Sequence, residues 1–153
     1  MGAGIEEIKK EMIRVLIADD HPAVRQSLRE LLSRQQDIQV VGEAINGEEA
    51  VSLVSQVHPD VLLLDIEMPV LDGIEVTREL RHAKSGVRII ILSGHADKEY
   101  IRLVMQQGVF GYLVKDAPPG RIADAIRTVA GGKKLSRRFL PAEGYRFRLS
   151  DVA

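Results

Sequence analysis

The stretch that decides the fold is VLLLDIEMP, which spans residues 61–69. Its first four residues are apolar, and the fifth, Asp65, places a carboxylate directly at the end of the run. A short, continuous apolar run that ends in a turn is typical of a strand buried on both faces. Met68 and Pro69 then begin the turn. The pattern predicts a buried parallel strand that presents an acidic residue at its carboxyl end.

Four more apolar runs lie on either side of this stretch, and successive runs start 23 to 26 residues apart. That interval fits one strand followed by one helix and is too long for a hairpin. Helical patterns fill the intervals, so strict alternation predicts an α/β fold, a doubly wound parallel sheet with helices on both faces. The five predicted strands are residues 13–18, 38–44, 61–64, 87–92 and 110–114.

Capping and turn residues mark where the intervening helices begin. Pro22 suits the first position of a helix, and Asn46 is a favourable cap for the second. Gly73 opens the third helix, Asp97 can cap the fourth, and Pro119 precedes the fifth.

The chain has 153 residues, of which 45% are hydrophobic and 28% are charged, and its net charge is −1. This composition is ordinary for one globular domain and excludes a collagen-like or wholly disordered chain. The absence of cysteine excludes disulfides, thiolate metal sites and cysteine nucleophiles. The apolar runs are too short to span a bilayer, and the N-terminus is acidic where a signal peptide is basic. We therefore expect a cytoplasmic protein with no membrane contact.

Polar residues fall at the carboxyl ends of four predicted strands, where ligands bind in open α/β sheets. Asp19 and Asp20 follow the first strand, Asp65 the third, Ser93 the fourth and Lys115 the fifth. Carboxylates that converge repel one another unless a cation compensates them, and oxygen ligands favour a hard ion such as Mg²⁺. The lysine and the hydroxyl suit phosphoryl oxygens. This combination predicts phosphoryl transfer to an aspartate.

The same residues carry a resemblance to a known family, the receiver domain of two-component response regulators, and within it to the LuxR-type subclass. The resemblance covers about residues 13–132, and it implies a flavodoxin-like strand order of 2-1-3-4-5. The matching motifs are VLIADDHP (15–22), LLLDIEMP (62–69) with Asp72-Gly73, ILS (91–93) and GVFGYLVKD (108–116).

The resemblance implies a role for each acidic position. Asp65 is the expected phosphoacceptor. Asp20 is a direct Mg²⁺ ligand, Asp19 positions metal-bound water, and Asp65 together with the backbone carbonyl of Glu67 completes the protein ligands of the metal.

The resemblance also implies roles around the phosphoryl group. Ser93 and Lys115 bind its oxygens, and Tyr112 is an aromatic switch that turns inward when Ser93 is recruited. His95 and Glu67 each lie two residues beyond a site residue, so they border the site. They are candidates to tune the lifetime of the aspartyl phosphate, with an ordinary exposed loop position as the alternative.

The implied function is a phosphoacceptor receiver that a sensor histidine kinase phosphorylates in a Mg²⁺-dependent reaction. Phosphorylation would switch the face made by the fourth helix, the fifth strand and the fifth helix, and the full-length protein would control transcription. The chain is not expected to be an enzyme, although it would catalyse its own phosphoryl transfer and slow aspartyl-phosphate hydrolysis. Whether it forms a homodimer is left open.

The expected domains are a charged leader at residues 1–12, the receiver at residues 13–132 and a basic tail at residues 133–153. The tail carries six basic and two acidic residues, or +4, which leaves −5 for the rest of the chain. LuxR-type regulators continue into a helix-turn-helix domain, and the 21 residues of this tail are too few for one. We predict no complete output domain and no recognition of a specific DNA sequence by this chain as given.

Two other functions, and a zinc site, fit the sequence less well. A haloacid-dehalogenase-type phosphatase uses Asp-x-Asp, whereas this chain has Glu67 two residues after Asp65. A flavin-binding module needs a phosphate-cradling loop after the first strand, where Asp19 and Asp20 would repel the phosphate. The four histidines share no ligand spacing, which argues against a zinc site.

Overall fold

The computed structural model describes residues 11–94, 98–115 and 117–135. Within these ranges, five strands and five helices alternate along the chain. The strands are β1 (Ile13–Ala18), β2 (Ile38–Ala44), β3 (Val61–Asp65), β4 (Arg88–Ser93) and β5 (Gly111–Val114). The helices are α1 (Pro22–Ser33), α2 (Gly47–Val57), α3 (Gly73–His82), α4 (Lys98–Gln106) and α5 (Pro119–Ala130).

All strand pairs are parallel, and the strand order is β2-β1-β3-β4-β5. The predicted fold and strand order are confirmed. Because every strand runs in the same direction, the residues that follow β1, β3, β4 and β5 meet at one edge, the carboxyl edge of the sheet.

The sheet is buried on both faces because alternate strand residues point to opposite sides. Leu62 and Leu64 of β3 face the side that α2, α3 and α4 cover. Leu63 between them faces α1 and α5. A continuous apolar run in β3 therefore fills two separate cores, and its first polar residue, Asp65, emerges where the strand ends.

Two helices begin where the sequence predicts, and Asn46 caps the first of them as expected. Asn46 Oδ1 accepts a hydrogen bond from the Glu49 amide at 2.8 Å, at the start of α2. Asp72 and Glu75 form a reciprocal capping box at the start of α3. The expected cap of α4, Asp97, lies outside the described residues.

The loops after β2 and β3 pack tightly against each other. A Cβ atom at Gly47 would lie 2.1 Å from the carbonyl oxygen of Leu71, a separation that real side chains do not adopt. Glycine is therefore required at this position, and it lets the β3–α3 loop lie close beside the start of α2.

After α5 the chain returns to the sheet. The Leu135 amide donates to the Phe110 carbonyl at 2.8 Å, and its side chain is buried against Gly111. Packing thus continues to Leu135, the last described residue; residues 1–10 and 136–153, most of the expected leader and tail, lie outside the described part. None of the helices in the described ranges is long and apolar enough to cross a membrane.

Candidate phosphoacceptor site

The carboxyl edge of the sheet brings four predicted site residues into one crevice. Asp19 and Asp20 follow β1, Asp65 ends β3, and Lys115 follows β5. Lys115 Nζ lies 2.9 Å from Asp19 Oδ2 and 3.2 Å from Asp65 Oδ2. We call these four residues the acidic crevice.

Burial dominates the electrostatics of the acidic crevice. The side chains of Asp19 and Asp65 are 1% and 2% exposed, whereas that of Lys115 is 21% exposed. Burial raises the pKa of Asp65 above its ordinary value, and the Asp19 carboxylate raises it further. The Glu67 amide and the Lys115 ammonium lower the pKa of Asp65 without cancelling that rise. Ionisation of Asp65 is thus energetically costly in the folded chain.

For Lys115 the surroundings favour the charged form. Burial, the largest single influence, lowers its pKa, but the Asp19 and Asp65 carboxylates together raise it by more, so the net pKa lies above the ordinary value. The ammonium therefore remains charged at neutral pH and faces both buried carboxylates.

Three oxygen atoms of the acidic crevice are buried and have no hydrogen-bond donor among the described residues: Asp19 Oδ2, Asp20 Oδ1 and Asp65 Oδ2. Lys115 Nζ pairs with the first and third, at 2.9 and 3.2 Å, but one ammonium shared between two carboxylates does not satisfy all their lone pairs. Buried carboxylate oxygens with unmet lone pairs are the donor set that a hard divalent cation needs. These residues fit a Mg²⁺ ion.

Ser93 and Tyr112 lie on β4 and β5, the two strands that follow β3 in the sheet. Ser93 ends β4 and is 0% exposed, and its carbonyl accepts a 2.8 Å hydrogen bond from the Lys115 amide. Tyr112 in β5 is 4% exposed and belongs to the core on the α2, α3 and α4 side. The tyrosine side chain is already buried in this structure, and its role as a switch remains a prediction.

Glu67 is one of the two residues expected to border the site. The Glu67 side chain is exposed, and its amide donates to Asp65 Oδ1 at 3.1 Å. This bond fixes the orientation of the Asp65 carboxylate. His95 lies outside the described residues.

Two residues that contact Asp19 were not identified from the sequence. Arg25 in α1 donates to the Asp19 carbonyl at 2.7 Å and forms an ion pair with Glu43 at 3.4 Å. His21 donates its amide to Asp19 Oδ1 at 2.8 Å, and its ring Nδ1 lies 3.0 Å from the same oxygen. His21 directly follows Asp20 in the sequence, and this adjacency could have identified it. The histidines were instead assessed only by the spacing that a zinc site needs. Nothing in the sequence pattern singles out Arg25.

The fold and the arrangement of the acidic crevice are those of a receiver domain. The chain belongs to the response regulator receiver domain family, whose model matches residues 15–127. The LuxR-type resemblance is also confirmed, because the relatives and solved structures include LuxR-family regulators. Membership of this family leaves the phosphatase and flavin-module alternatives without support.

Individual relatives agree with this assignment. The transcriptional regulatory protein LiaR of Bacillus subtilis (strain 168) is 42% identical over 122 residues, which cover 80% of this chain and 58% of LiaR. The nitrate/nitrite response regulator NarL of Escherichia coli (strain K12) is 36% identical over 126 residues, or 82% of this chain and 58% of NarL.

Among solved structures, a LuxR-family two-component response regulator from Aurantimonas sp. SI85-9A1 superposes with a TM-score of 0.77. It is 31% identical, and the match covers 81% of this chain and 89% of that chain. The chain spans only about 60% of the length of the curated relatives it matches.

Proposed function

We propose that this chain is the phosphoacceptor receiver of a two-component phosphorelay, and that Asp65 accepts a phosphoryl group from a phosphohistidine of a sensor histidine kinase. The observation that carries the proposal is the surroundings of Asp65. Its carboxylate is 2% exposed and lies 3.2 Å from the Lys115 ammonium, which also lies 2.9 Å from a second buried carboxylate, that of Asp19. A buried, oriented carboxylate beside a fixed cation is suited to nucleophilic attack on an anionic group.

The transfer balances as a single displacement. A carboxylate oxygen of Asp65 attacks phosphorus, a new O–P bond forms, and the P–N bond of the phosphohistidine breaks. The imidazole nitrogen of the donor leaves with the bonding electron pair. Lys115 offsets negative charge on the phosphoryl oxygens, and the Ser93 hydroxyl donates to one of them. Slow hydrolysis by water later returns Asp65 to a free carboxylate.

The divalent cation belongs to the same proposal. Asp20, Asp65 and the Glu67 carbonyl would hold Mg²⁺ directly, and Asp19 would hold it through water. When bound, Mg²⁺ offsets the charge of the two anions that react. The hydrogen bond from the Glu67 amide to Asp65 Oδ1 keeps the carboxylate oriented while the phosphoryl donor approaches.

The switch and the output are further parts of the proposal. A phosphoryl group on Asp65 gives Ser93 an acceptor, and Tyr112 then holds a different position within the face made by α4, β5 and α5. Because relatives are named transcriptional regulators, we propose that residues 13–132 act as the receiver that controls transcription in the whole protein. Amide chemical shifts should follow phosphorylation on that face; changes confined to α2 and α3 would contradict the switch.

The central test is phosphorylation by a small donor. Incubation with acetyl phosphate and Mg²⁺ should add the mass of one phosphoryl group, read by intact-mass spectrometry, and a chelator should prevent it. Asp65→Asn removes the nucleophile and should abolish the gain. Asp37→Asn is the matched control, because it removes a carboxylate at the opposite edge of the sheet and should be phosphorylated at the wild-type rate. Wild-type labelling of Asp65→Asn would refute the assignment.

A further inference from the structure

His21 carries a ring nitrogen to the mouth of the acidic crevice. Its Nδ1 hydrogen-bonds with Asp19 Oδ1 at 3.0 Å and lies 3.1 Å from Asp20 Oδ1. One donor atom each from His21, Asp19, Asp20 and Asp65 lie within 4.8 Å of one another. The His21 side chain is 61% exposed, so solvent reaches the ring.

A second observation indicates that these atoms surround a position for a cation. Asp19 and Asp65 are almost completely buried, and an oxygen of each lacks a hydrogen-bond donor within the part of the chain that the structure describes. Asp20 Oδ1, the oxygen beside His21 Nδ1, is in the same condition. The Lys115 ammonium pairs with Asp19 Oδ2 and Asp65 Oδ2 but supplies one positive charge against three carboxylates. The remaining negative charge and unmet lone pairs favour a further cation.

The spacing of His21 suits a place among the ligands of that cation. Adjacent ligands of an octahedral ion with bonds of about 2.1 Å are about 3.0 Å apart. His21 Nδ1 already has nearly this separation, 3.1 Å, from Asp20 Oδ1, an oxygen of a proposed direct ligand. In the structure the contact of Nδ1 with Asp19 Oδ1 is a hydrogen bond, which Nδ1 would give up on binding a metal.

We propose that His21 Nδ1 is a ligand of the divalent cation in the acidic crevice, and that it shifts the preference of the site toward borderline transition-metal ions such as Co²⁺ and Ni²⁺. Imidazole nitrogen binds these ions well, whereas Mg²⁺ prefers oxygen ligands and retains water. With Mg²⁺, His21 stays with the carboxylates; with Co²⁺ or Ni²⁺, its lone pair joins the metal. The inference rests on the proposed function because it concerns the same site, and it adds a ligand and a class of cation.

The test compares cations in matched variants of the full chain. Wild type, His21→Ala and His21→Asn are titrated with MgCl₂, CoCl₂ and NiCl₂ by calorimetry at one fixed pH in a non-chelating buffer. The Co²⁺ complexes are also followed by visible absorption, which responds to a nitrogen ligand. His82→Ala is the control, because it removes an exposed histidine of α3. Asp65→Asn tests the metal site itself.

The expected result is specific to one class of cation. His21→Ala and His21→Asn weaken Co²⁺ and Ni²⁺ binding at least tenfold, about the loss that a supporting residue of a metal site produces. They leave Mg²⁺ binding within about twofold, since Mg²⁺ does not need the nitrogen, and they shift the Co²⁺ spectrum. His82→Ala changes none of these.

Two outcomes overturn the inference. Unchanged Co²⁺ binding in His21→Ala shows that Nδ1 is not a ligand, and an equal loss for Mg²⁺ and Co²⁺ shows that His21 only positions the carboxylates. Failure of the proposed function looks different, because wild type and Asp65→Asn would then bind Mg²⁺ equally weakly.

Discussion

The amino edge of the sheet, where the strands begin, and the carboxyl edge, where they end, differ in how their charged side chains are paired. At the amino edge, Arg127 of α5 donates to both oxygens of Asp37, at 2.8 and 3.0 Å, and to Gln35 at 2.7 Å. At the carboxyl edge, Lys115 is shared between Asp19 and Asp65, and an oxygen of each carboxylate has no hydrogen-bond donor among the described residues. Charge is matched at the first edge and left in excess at the second.

Other arginines extend the pattern of the amino edge. Arg88 donates to the Ala130 carbonyl at the end of α5, at 2.7 Å, and Arg14 donates to the Val57 carbonyl at the end of α2. Cations at helix carboxyl ends satisfy the last carbonyls and complement the helix dipole. The difference indicates that the paired charges at the amino edge stabilise the fold. The excess negative charge at the carboxyl edge provides a binding site for a cation.

The largest effect should come from supplying the missing cation. Mg²⁺ at roughly a hundred times its dissociation constant should stabilise the wild type by about 2.7 kcal/mol, because it binds the folded chain and not the unfolded one. Urea unfolding with and without Mg²⁺ measures this gain. Asp20→Ala should lose most of it, and Asp37→Asn should keep it. Equal stabilisation of all three proteins would remove the distinction between the edges.

Removing the excess charge should also stabilise the fold. Without Mg²⁺ at neutral pH, Asp65→Asn should raise the free energy of unfolding by about 1–2 kcal/mol, because it eliminates a buried carboxylate that lacks full compensation. The measurement is urea unfolding in a chelator. A variant that is less stable than the wild type would show that Lys115 already balances the acidic crevice.

The pH dependence of that gain follows from the pKa of Asp65, which the fold raises above 3.8. The folded chain holds the Asp65 proton more tightly than the unfolded chain, so the wild type loses stability as pH rises from 3.8 through the raised pKa. The advantage of Asp65→Asn should therefore grow with pH across this window and be small below it. Unfolding at pH values on either side of the window tests the sign.

The opposite result is expected at the amino edge. Asp37→Asn leaves Arg127 without its anionic partner and should lower the free energy of unfolding by about 1 kcal/mol, a modest loss because both side chains are partly exposed. The same unfolding series measures it. Arg29→Gln, which breaks the more exposed pair with Glu43, is the control and should cost less.

The smallest expected effect concerns backbone strain beside the acidic crevice. Val70, in the loop after β3, has φ of 71° and is 66% exposed. A β-branched residue is strained in this left-handed region, whereas asparagine tolerates it. Val70→Asn should stabilise the chain by roughly 0.5–1 kcal/mol. Lys84→Asn, at φ of 56° but without a branched side chain, should gain less; an equal gain would mean that branching at Val70 contributes no strain.

The sequence predicted the elements well because a buried parallel sheet leaves a plain pattern. The bounds of β1 and β2 were predicted to the residue, and β3 extends one residue further to include Asp65. The convergence of Asp19, Asp65 and Lys115 followed from their places at strand ends, since parallel strands bring such residues to one edge. Periodicity and strand position carry this information directly.

Side-chain contacts that cross between elements could not be predicted in the same way. Arg25, in the first turn of α1, donates to the Asp19 carbonyl just beyond the end of β1. Leu135 packs against Gly111, which has no side chain. Neither contact leaves a periodic signal. The buried position of Tyr112 in this structure also depends on packing against elements that are distant in sequence.

The strand order also sets the sequence in which the acidic crevice can form during synthesis. β1 is made first yet lies inside the sheet, paired with β2 and β3, whereas β5 is made last and lies at the edge. A nascent chain can therefore bring Asp65 beside Asp19 before Lys115 has left the ribosome. Its carboxylates then repel one another without a lysine between them. We expect dissolved divalent cations to accelerate this early stage of folding, and to matter less once β5 has docked.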